Sequence, residues 1–208
     1  MIPNPWDVGS ARGLEAVGFQ ALATTSSGFA FTLGQLRDAR RGRSHVSGLT
    51  QATDLPVSVD LENGYGATSE RPARAIVRVA EEAGAVGGSI EDWDPSGHLY
   101  DKGHAAERIA AAAKAAHALP FPFMLTARAE NHIRGHPDLD DTIARLQTYE
   151  ASGPTSCMRP ACGPGRSRLS GGLPAGERAR AAGHVDDRDL RGGCPARERR
   201  RWSHLGRG

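Results

Sequence analysis

Two acidic residues follow an apolar run in the segment Val57–Gly66, which reads VSVDLENGYG. Side chains alternate across a strand, so Asp60 and Glu62 project to the same side of the chain. Two carboxylates this close repel each other unless a cation joins them, and Mg²⁺ takes oxygen ligands while keeping several waters. The segment therefore predicts a buried strand that ends in a Mg²⁺ site, with Mn²⁺ as a second suitable ion. An ordinary solvated turn is the alternative.

The same arrangement occurs twice more along the chain. The run Val86–Ile90 ends in Glu91 and Asp92, and the run Phe121–Ala127 ends in Arg128 and Glu130. Charged groups therefore follow three separate strand-like segments.

Helical patterns separate these runs. Apolar residues recur at helical spacing over Glu70–Ala83, and Ala105–Leu119 is rich in alanine. Alternating strands and helices predict a parallel sheet. In an α/β barrel the functional residues lie at the carboxyl ends of the strands, which is where these acids and Arg128 fall.

Several ordered motifs resemble those of the phosphoenolpyruvate mutase and isocitrate lyase superfamily, over residues 4–153. The motifs are NPWD (4–7), TTSSG (24–28), VDLENGYG (59–66), SIED (89–92) and TARAENH (126–132). The resemblance implies a TIM-type (β/α)8 barrel and a Mg²⁺-dependent enzyme acting on a small carboxylate.

The resemblance also implies a role for each matching acid. Asp60 is expected to contact Mg²⁺ directly, and Glu62 and Glu91 are expected to hold the ion through its waters. Asp38 corresponds to an acid that supports this metal network. Many relatives have Asp where this chain has Glu62, whose longer side chain still reaches a water.

The substrate side of the site follows from the same resemblance. Thr25, Ser26 and Ser27 match the loop that receives a substrate carboxylate through backbone N–H groups and hydroxyls. Arg128 matches an arginine that neutralises developing negative charge, and it forms the expected catalytic pair with Glu91. Relatives with known lyase activity carry an aromatic version of the serine loop, so the identity of the substrate stays open.

The shared chemistry of the superfamily is an enolate formed by breaking a bond next to a carbonyl. We expect C–C cleavage of a small 2-oxo or 2-hydroxy carboxylate, as in isocitrate or methylisocitrate lyases or oxaloacetate-acting enzymes. Rearrangement or hydrolysis of a P–C bond is the alternative.

The segment after the SIED motif lacks the residues typical of isocitrate-type lyases and those typical of phosphonate-forming mutases. It reads WDPSGHLYDKG, lacks the lyase cysteine, and places Lys102 later than the family lysine. It also lacks the lysine and asparagine typical of phosphonate-forming mutases. His98 and His104 are candidate acids or bases, or simply solvated loop histidines.

The chain of 208 residues is short for an eight-stranded barrel, which needs about 250. Five strands are predicted, at Met1–Pro5, Gln20–Thr24, Val57–Asp60, Gly87–Glu91 and Phe123–Arg128. The prediction is therefore an incomplete barrel domain over residues 1–153, with about five of eight strands. An irregular, arginine-rich tail is predicted to follow over residues 154–208.

Charge changes at the same point. Residues 1–150 carry a net charge of −5, whereas residues 151–208 carry +7. A basic arm that binds nucleic acid is one interpretation. It is disfavoured because Trp202 is the one aromatic residue in the tail, so nucleic acid is an unlikely partner.

A shifted reading frame is the preferred interpretation of the tail. Written in GC-rich codons with one base restored after the first codon, residues 153–162 read GADVLYAPGL, which resembles the sixth strand of the superfamily. We hypothesise a one-base loss near residues 152–154. A chain truncated in this way is expected to be weakly active or inactive.

The three cysteines predict neither a disulfide nor a zinc site. Cys157, Cys162 and Cys194 match no common zinc spacing and are interpreted as products of the shifted frame. Residues 1–150 lack cysteine, which suits a reducing cytoplasm. No signal peptide or membrane-spanning run is recognised, so a cytoplasmic protein without a membrane partner is expected. Relatives form tetramers that exchange helices, which predicts a homo-oligomer for the intact protein only.

Overall fold

The computed structural model describes residues 2–33 and 39–159, and seven strands lie within these ranges. They are β1 (Leu22–Ala23), β2 (Val57–Asp60), β3 (Gly87–Glu91), β4 (Trp93–Asp94), β5 (His98–Leu99), β6 (Met124–Arg128) and β7 (Ser156–Met158). Five of them form a parallel sheet in the order β1-β2-β3-β6-β7, and β4 and β5 form an antiparallel hairpin. The predicted α/β fold with a five-stranded parallel sheet is confirmed.

Helices connect the parallel strands. They are α1 (Val8–Ala16), α2 (Ser26–Leu33), α3 (Ala39–Ala52), α4 (Glu70–Ala83), α5 (Lys102–His117) and α6 (Leu139–Glu150), with a 3-10 turn at Asn131–Arg134. The predicted helix Glu70–Ala83 is confirmed to the residue, and it ends at Gly84 in the left-handed conformation that favours glycine. Asp101 and Asp138 begin α5 and α6 by accepting hydrogen bonds from the first turn.

The core lies between the sheet and its helices. Val59, Ile90 and Leu125 from three neighbouring strands pack with Ile76 of α4 and Ile109 of α5, and all are at most 3% exposed. This packing fixes the strands side by side. Their carboxyl ends, and the charged residues there, therefore meet at one edge of the sheet.

The predicted first strand is wrong over its described residues, 2–5. This segment runs beside β1, where the N–H of Ala23 donates to the carbonyl of Pro3 at 3.0 Å and the Asn4 amide donates to the carbonyl of Ala23 at 2.8 Å. Pro3 and Pro5 have no N–H to donate, so a regular ladder cannot form. The fifth parallel strand is β7 instead.

Strand β7 lies beyond residue 153, where the tail was predicted to begin. It pairs in parallel with β6, with Cys157 opposite Ala127. Residues 160–208, including Cys162, Cys194 and Trp202, lie outside the described residues, so the domain boundary and the shifted frame stay predictions. No helix in the described part of the chain is long and apolar enough to cross a membrane.

Candidate active site

Strand pairing brings three of the predicted site residues together. Asp60, Glu91 and Arg128 each end a strand, and those strands are neighbours in the sheet. Glu91 lies directly opposite Arg128 in the register of β3 and β6. The three side chains therefore converge at the carboxyl edge of the sheet.

Arg128 lies at the centre of a carboxylate cluster. Its Nη1 is 3.2 Å from Asp60 Oδ1 and 3.2 Å from Glu91 Oε1, and its Nη2 is 2.8 Å from Glu130 Oε1. Burial opposes the charged form of Arg128, but the surrounding carboxylates outweigh it and raise its pKa. The guanidinium is therefore held firmly in its charged state.

Glu91 is almost fully buried, at 4% exposure of its side chain. Burial raises the pKa of Glu91 to about 7, with the Glu130 and Asp60 carboxylates adding to the rise against the opposing pull of Arg128. Arg134 also contacts Glu91, with Nη2 at 3.3 Å from Oε2. Near neutral pH, Glu91 can therefore gain or lose a proton, as a general acid or base must.

Asp60 also contacts the start of α2. Its Oδ2 accepts from Ser26 N at 3.1 Å and from Ser26 Oγ at 2.8 Å. Its Oδ1 accepts from the Glu62 N–H at 3.2 Å as well as from Arg128. Ser26 thus joins the cluster, whereas Thr25 bonds locally to the N–H of Gly28 at 3.3 Å and Ser27 follows in the first turn of α2.

Glu62 enters the site through its backbone. It has φ 51°, in the left-handed region that L side chains rarely adopt, and its carbonyl accepts from the Glu91 N–H at 2.7 Å. Its side chain is half-buried. The left-handed turn therefore links the ends of β2 and β3.

The donor set suits Mg²⁺ as an ion that keeps several waters. Within residues 2–33 and 39–159, no three His, Cys, Asp or Glu side chains converge into a closed metal cage, and Arg128 lies between Asp60 and Glu91 instead. Mg²⁺ needs only one or two protein carboxylates. Glu130 Oε2 is a buried acceptor without a hydrogen bond, although it lies 3.3 Å from Arg134 Nη2 in an ion pair. Asp38 lies outside the described residues.

Two members of this cluster are not among the predicted site residues, although Glu130 was noted as a charged residue after the third run. Glu130 is fully buried and its Oε2 lies 3.3 Å from Arg134 Nη2. Arg134 also stacks over Trp93, with its guanidinium carbon 4.9 Å from the ring centroid. Glu130 belongs to the TARAENH motif, which was the signal for it in the sequence. Arg134 had no such signal, because only the 3-10 turn brings it to the cluster.

Asp92 of the SIED motif serves structure and not the cluster. It accepts from Tyr149 Oη at 2.6 Å and pairs with Arg145 at 3.2 Å. Its other oxygen accepts from the Glu130 N–H at 2.8 Å. Asp92 therefore fastens α6 and the end of β6 to β3.

The two candidate histidines bond elsewhere. His98 is exposed on the β4–β5 hairpin with Nδ1 at 3.0 Å from Ser96 Oγ, and a ring nitrogen of His104 lies 2.9 Å from the carbonyl of Ala67.

Burial raises the pKa of the Cys157 thiol to about 12, so this cysteine is no ready nucleophile.

The sequence profile of the phosphoenolpyruvate phosphomutase family matches residues 1–166. Among curated proteins, the uncharacterized protein Rv1998c of Mycobacterium tuberculosis is 34% identical over 157 residues, which are 74% of this chain and 57% of that protein. The chain thus spans little more than half the length of this relative.

Solved structures are similar as well. A candidate lyase/mutase from Burkholderia cenocepacia is 40% identical, with a TM-score of 0.74 over 97% of this chain and 89% of that one. A candidate phosphonomutase from the same organism is 37% identical, with a TM-score of 0.71 over 78% and 69%. A structure of 2,3-dimethylmalate lyase shares the fold at 24% identity, with a TM-score of 0.68 over 76% of this chain and 57% of that one. A structure of phosphonopyruvate hydrolase shares the fold at 18% identity, with a TM-score of 0.71 over 83% of this chain and 64% of that one.

Proposed function

Because the chain belongs to the phosphoenolpyruvate mutase and isocitrate lyase superfamily, we propose that it acts as a Mg²⁺-dependent lyase on a small 2-oxo or 2-hydroxy carboxylate. The bond broken is a C–C bond next to a carbonyl, and the product first formed is an enolate. The supporting observation is the cluster in which one Arg128 nitrogen lies 3.2 Å from both Asp60 and Glu91. The positive charge of Arg128 would stabilise an enolate oxygen bound beside this cluster.

The serine loop supplies the substrate carboxylate site in this proposal. Ser26 offers its N–H and its hydroxyl to one carboxylate oxygen, and in the structure that oxygen belongs to Asp60. The same two donors suit a substrate carboxylate at the start of α2, where helix N–H groups favour anions. Thr25 and Ser27 flank Ser26 in this role.

Charge and proton control fall to Arg128 and Glu91. The buried Arg128 stabilises negative charge as it develops on the substrate, and Glu91, with its pKa near neutrality, holds or releases a proton on a carboxylate oxygen. Asp60 would contact Mg²⁺ directly, and Glu62 and Glu91 would act through its waters, with Asp38, outside the described residues, as a further candidate. The ion, or Mn²⁺ in its place, would supply charge stabilisation at the enolate oxygen.

The segment between β3 and α5 favours oxaloacetate-like substrates over isocitrate-like ones. Its hairpin contains no cysteine, and Lys102 begins α5 with Nζ 4.0 Å from Asp141. Neither group of an isocitrate-type lyase is therefore supplied by this segment. P–C bond chemistry is the second candidate, because a candidate phosphonomutase is 37% identical.

Turnover assays test the proposal. Oxaloacetate, methylisocitrate and phosphonopyruvate are offered with Mg²⁺ to the 208-residue chain and to the frame-restored protein. We expect oxaloacetate cleavage that EDTA abolishes and Asp60→Asn removes, with far higher rates in the frame-restored protein. Phosphonopyruvate as the preferred substrate supports the second candidate, and no turnover of any of them by the restored protein rejects both.

A further inference from the structure

Arg108 of α5 is a buried cation whose partners are backbone carbonyls. It is 1% exposed, and its guanidinium carbon lies 4.3 Å from the centroid of the Tyr100 ring. Its Nη1 donates to Gly66 O at 2.7 Å and to Thr68 O at 3.1 Å. The complete set of carbonyls it contacts belongs to Asn63, Gly66, Ala67 and Thr68. One side chain therefore ties down most of the loop between β2 and α4.

This loop has a costly backbone conformation. Glu62 and Tyr65 have φ 51° and 63°, although neither is glycine. A non-glycine residue in this region is strained and persists only where its surroundings hold it. Arg108 supplies such a hold from a different helix, 40 or more residues away in sequence.

The loop is directly connected to the carboxylate cluster. The Glu62 N–H donates to Asp60 Oδ1 at 3.2 Å, and the Glu62 carbonyl accepts from the Glu91 N–H at 2.7 Å. A shift of the loop backbone would therefore move the donor that orients Asp60 and loosen the link to β3.

Tyr100 joins the same loop to the β4–β5 hairpin. Its hydroxyl accepts from the Asn63 amide at 2.9 Å and donates to Asp94 Oδ2 at 2.6 Å, while its ring lies under Arg108. Arg108, Asn63 and Tyr100 thus form one packed unit behind the acidic end of β2.

We propose that Arg108 is a positioning residue. It holds the 62–68 loop, in which Glu62 and Tyr65 are left-handed, and thereby orients Asp60 and Glu62 for a divalent cation. Arg108 itself contacts neither the cation nor the substrate. The inference rests on the proposed function, because it concerns the same acidic residues. It predicts that loss of Arg108 weakens cation binding beyond any effect of reduced stability.

Calorimetric titration of the full chain with Mn²⁺ alone tests the inference. Arg108→Lys removes the forked contacts but keeps the positive charge, whereas Arg108→Met removes both. Ile109→Ala is the matched control, since Ile109 is the next residue of α5 and is 3% exposed in the apolar core. Folding of each variant is checked by circular dichroism and urea unfolding, and hydrogen exchange is measured at the Gly64 amide, which donates to Leu61 O at 2.8 Å.

We expect Mn²⁺ binding to weaken at least tenfold in both Arg108 variants and exchange at Gly64 to accelerate at least tenfold. Ile109→Ala should stay within twofold in binding while losing stability. If Arg108→Met fails to fold, Arg108→Lys and Tyr100→Phe decide, and binding within twofold of wild type in these two overturns the inference. A wild-type chain that binds no Mn²⁺ overturns the proposed function and the inference together, whereas unchanged binding in the variants overturns the inference alone.

Discussion

Arg128 pairs with three buried or nearly buried carboxylates, those of Asp60, Glu91 and Glu130. Removing one partner from such a cluster leaves uncompensated buried charge, which is strongly destabilising. Arg134 supplies a second positive charge at 3.3 Å from both glutamates. The three acids outnumber the two arginines when all are ionised, so the cluster retains an excess of negative charge that suits a bound cation.

Arg128→Lys keeps the positive charge at this position but removes the planar, forked guanidinium. We expect kcat of the frame-restored protein to fall roughly 10²-fold, because a single ammonium cannot contact three carboxylates and a developing enolate together. Steady-state kinetics measure the loss. Arg78→Lys is the control, since Arg78 pairs with Glu82 on the surface and its side chain is 53% exposed. Equal losses in the two variants would show that Arg128 has no special role.

The raised pKa of Glu91 makes the stability of the metal-free protein depend on pH. The folded chain keeps the Glu91 proton up to a pH of about 7, whereas the unfolded chain releases it near an ordinary pKa of about 4.3. The folded state therefore binds more protons in this window, and the free energy of unfolding falls as pH rises through it. Urea unfolding in EDTA at several pH values between 4 and 8 should show a shallower decline for Glu91→Gln. Equal slopes in wild type and variant would contradict the raised pKa.

At the scale of elements, local patterns located most helices and strands. The apolar spacing of Glu70–Ala83 and the glycine after it depend on neighbouring residues alone, so the helix was predicted to the residue. The predicted site residues at the strand ends lie close together because parallel strands align their carboxyl ends. Arg108 and Arg145 were missed because each lies in a helix as an ordinary surface-type residue, and its partners arrive only on folding, 40 or more residues away in the chain for Arg108.

The β4–β5 hairpin was likewise not predicted. Its strands have two residues each, too short for a periodic signal. Asp94 bonds Ser96 and Tyr100 instead, at 2.6 Å in both cases, and these polar contacts close the hairpin. The first predicted strand failed because Pro3 and Pro5 have no N–H group to donate to a regular ladder.

Gly64→Ala tests the packing of the loop between β2 and α4. Gly64 has φ 76°, and an added Cβ would lie 2.6 Å from the Cα of Pro72. We expect a loss on the order of 3 kcal/mol in the free energy of unfolding, from backbone strain and a clash with main chain. Gly84→Ala is the matched control, because Gly84 has φ 68° with no heavy atom within 4 Å of the added carbon. It should lose only about 1 kcal/mol, from strain alone, and similar losses in both variants would contradict a tightly packed loop.

At the scale of the whole molecule, the described residues form five parallel strands, with β1 and β7 at the two edges of the sheet. The chain spans 57% of the length of its Mycobacterium relative, and its charge changes sign after residue 150. The proposal that the reading frame shifts near residues 152–154 stays a prediction, which no periodicity or propensity within the chain can test.

Resequencing the gene across codons 150–165 tests the frame. We expect one missing base and, on restoring it, a continuous frame that encodes an apolar strand ending in Ala-Pro-Gly. A gene with every base present would mean that the arginine-rich segment is genuine. Deleting residues 154–208 would then show whether it binds nucleic acid, through a salt-sensitive affinity that the deletion removes.

The most direct test of the site is a crystal structure of the frame-restored protein with Mn²⁺ and oxalate. We predict an anomalous peak for Mn²⁺ at the carboxylate of Asp60, with oxalate lying between Ser26 and Arg128. An ion bound elsewhere, or an Asp60 carboxylate still held by Ser26 and Arg128 at saturating Mn²⁺, would contradict it.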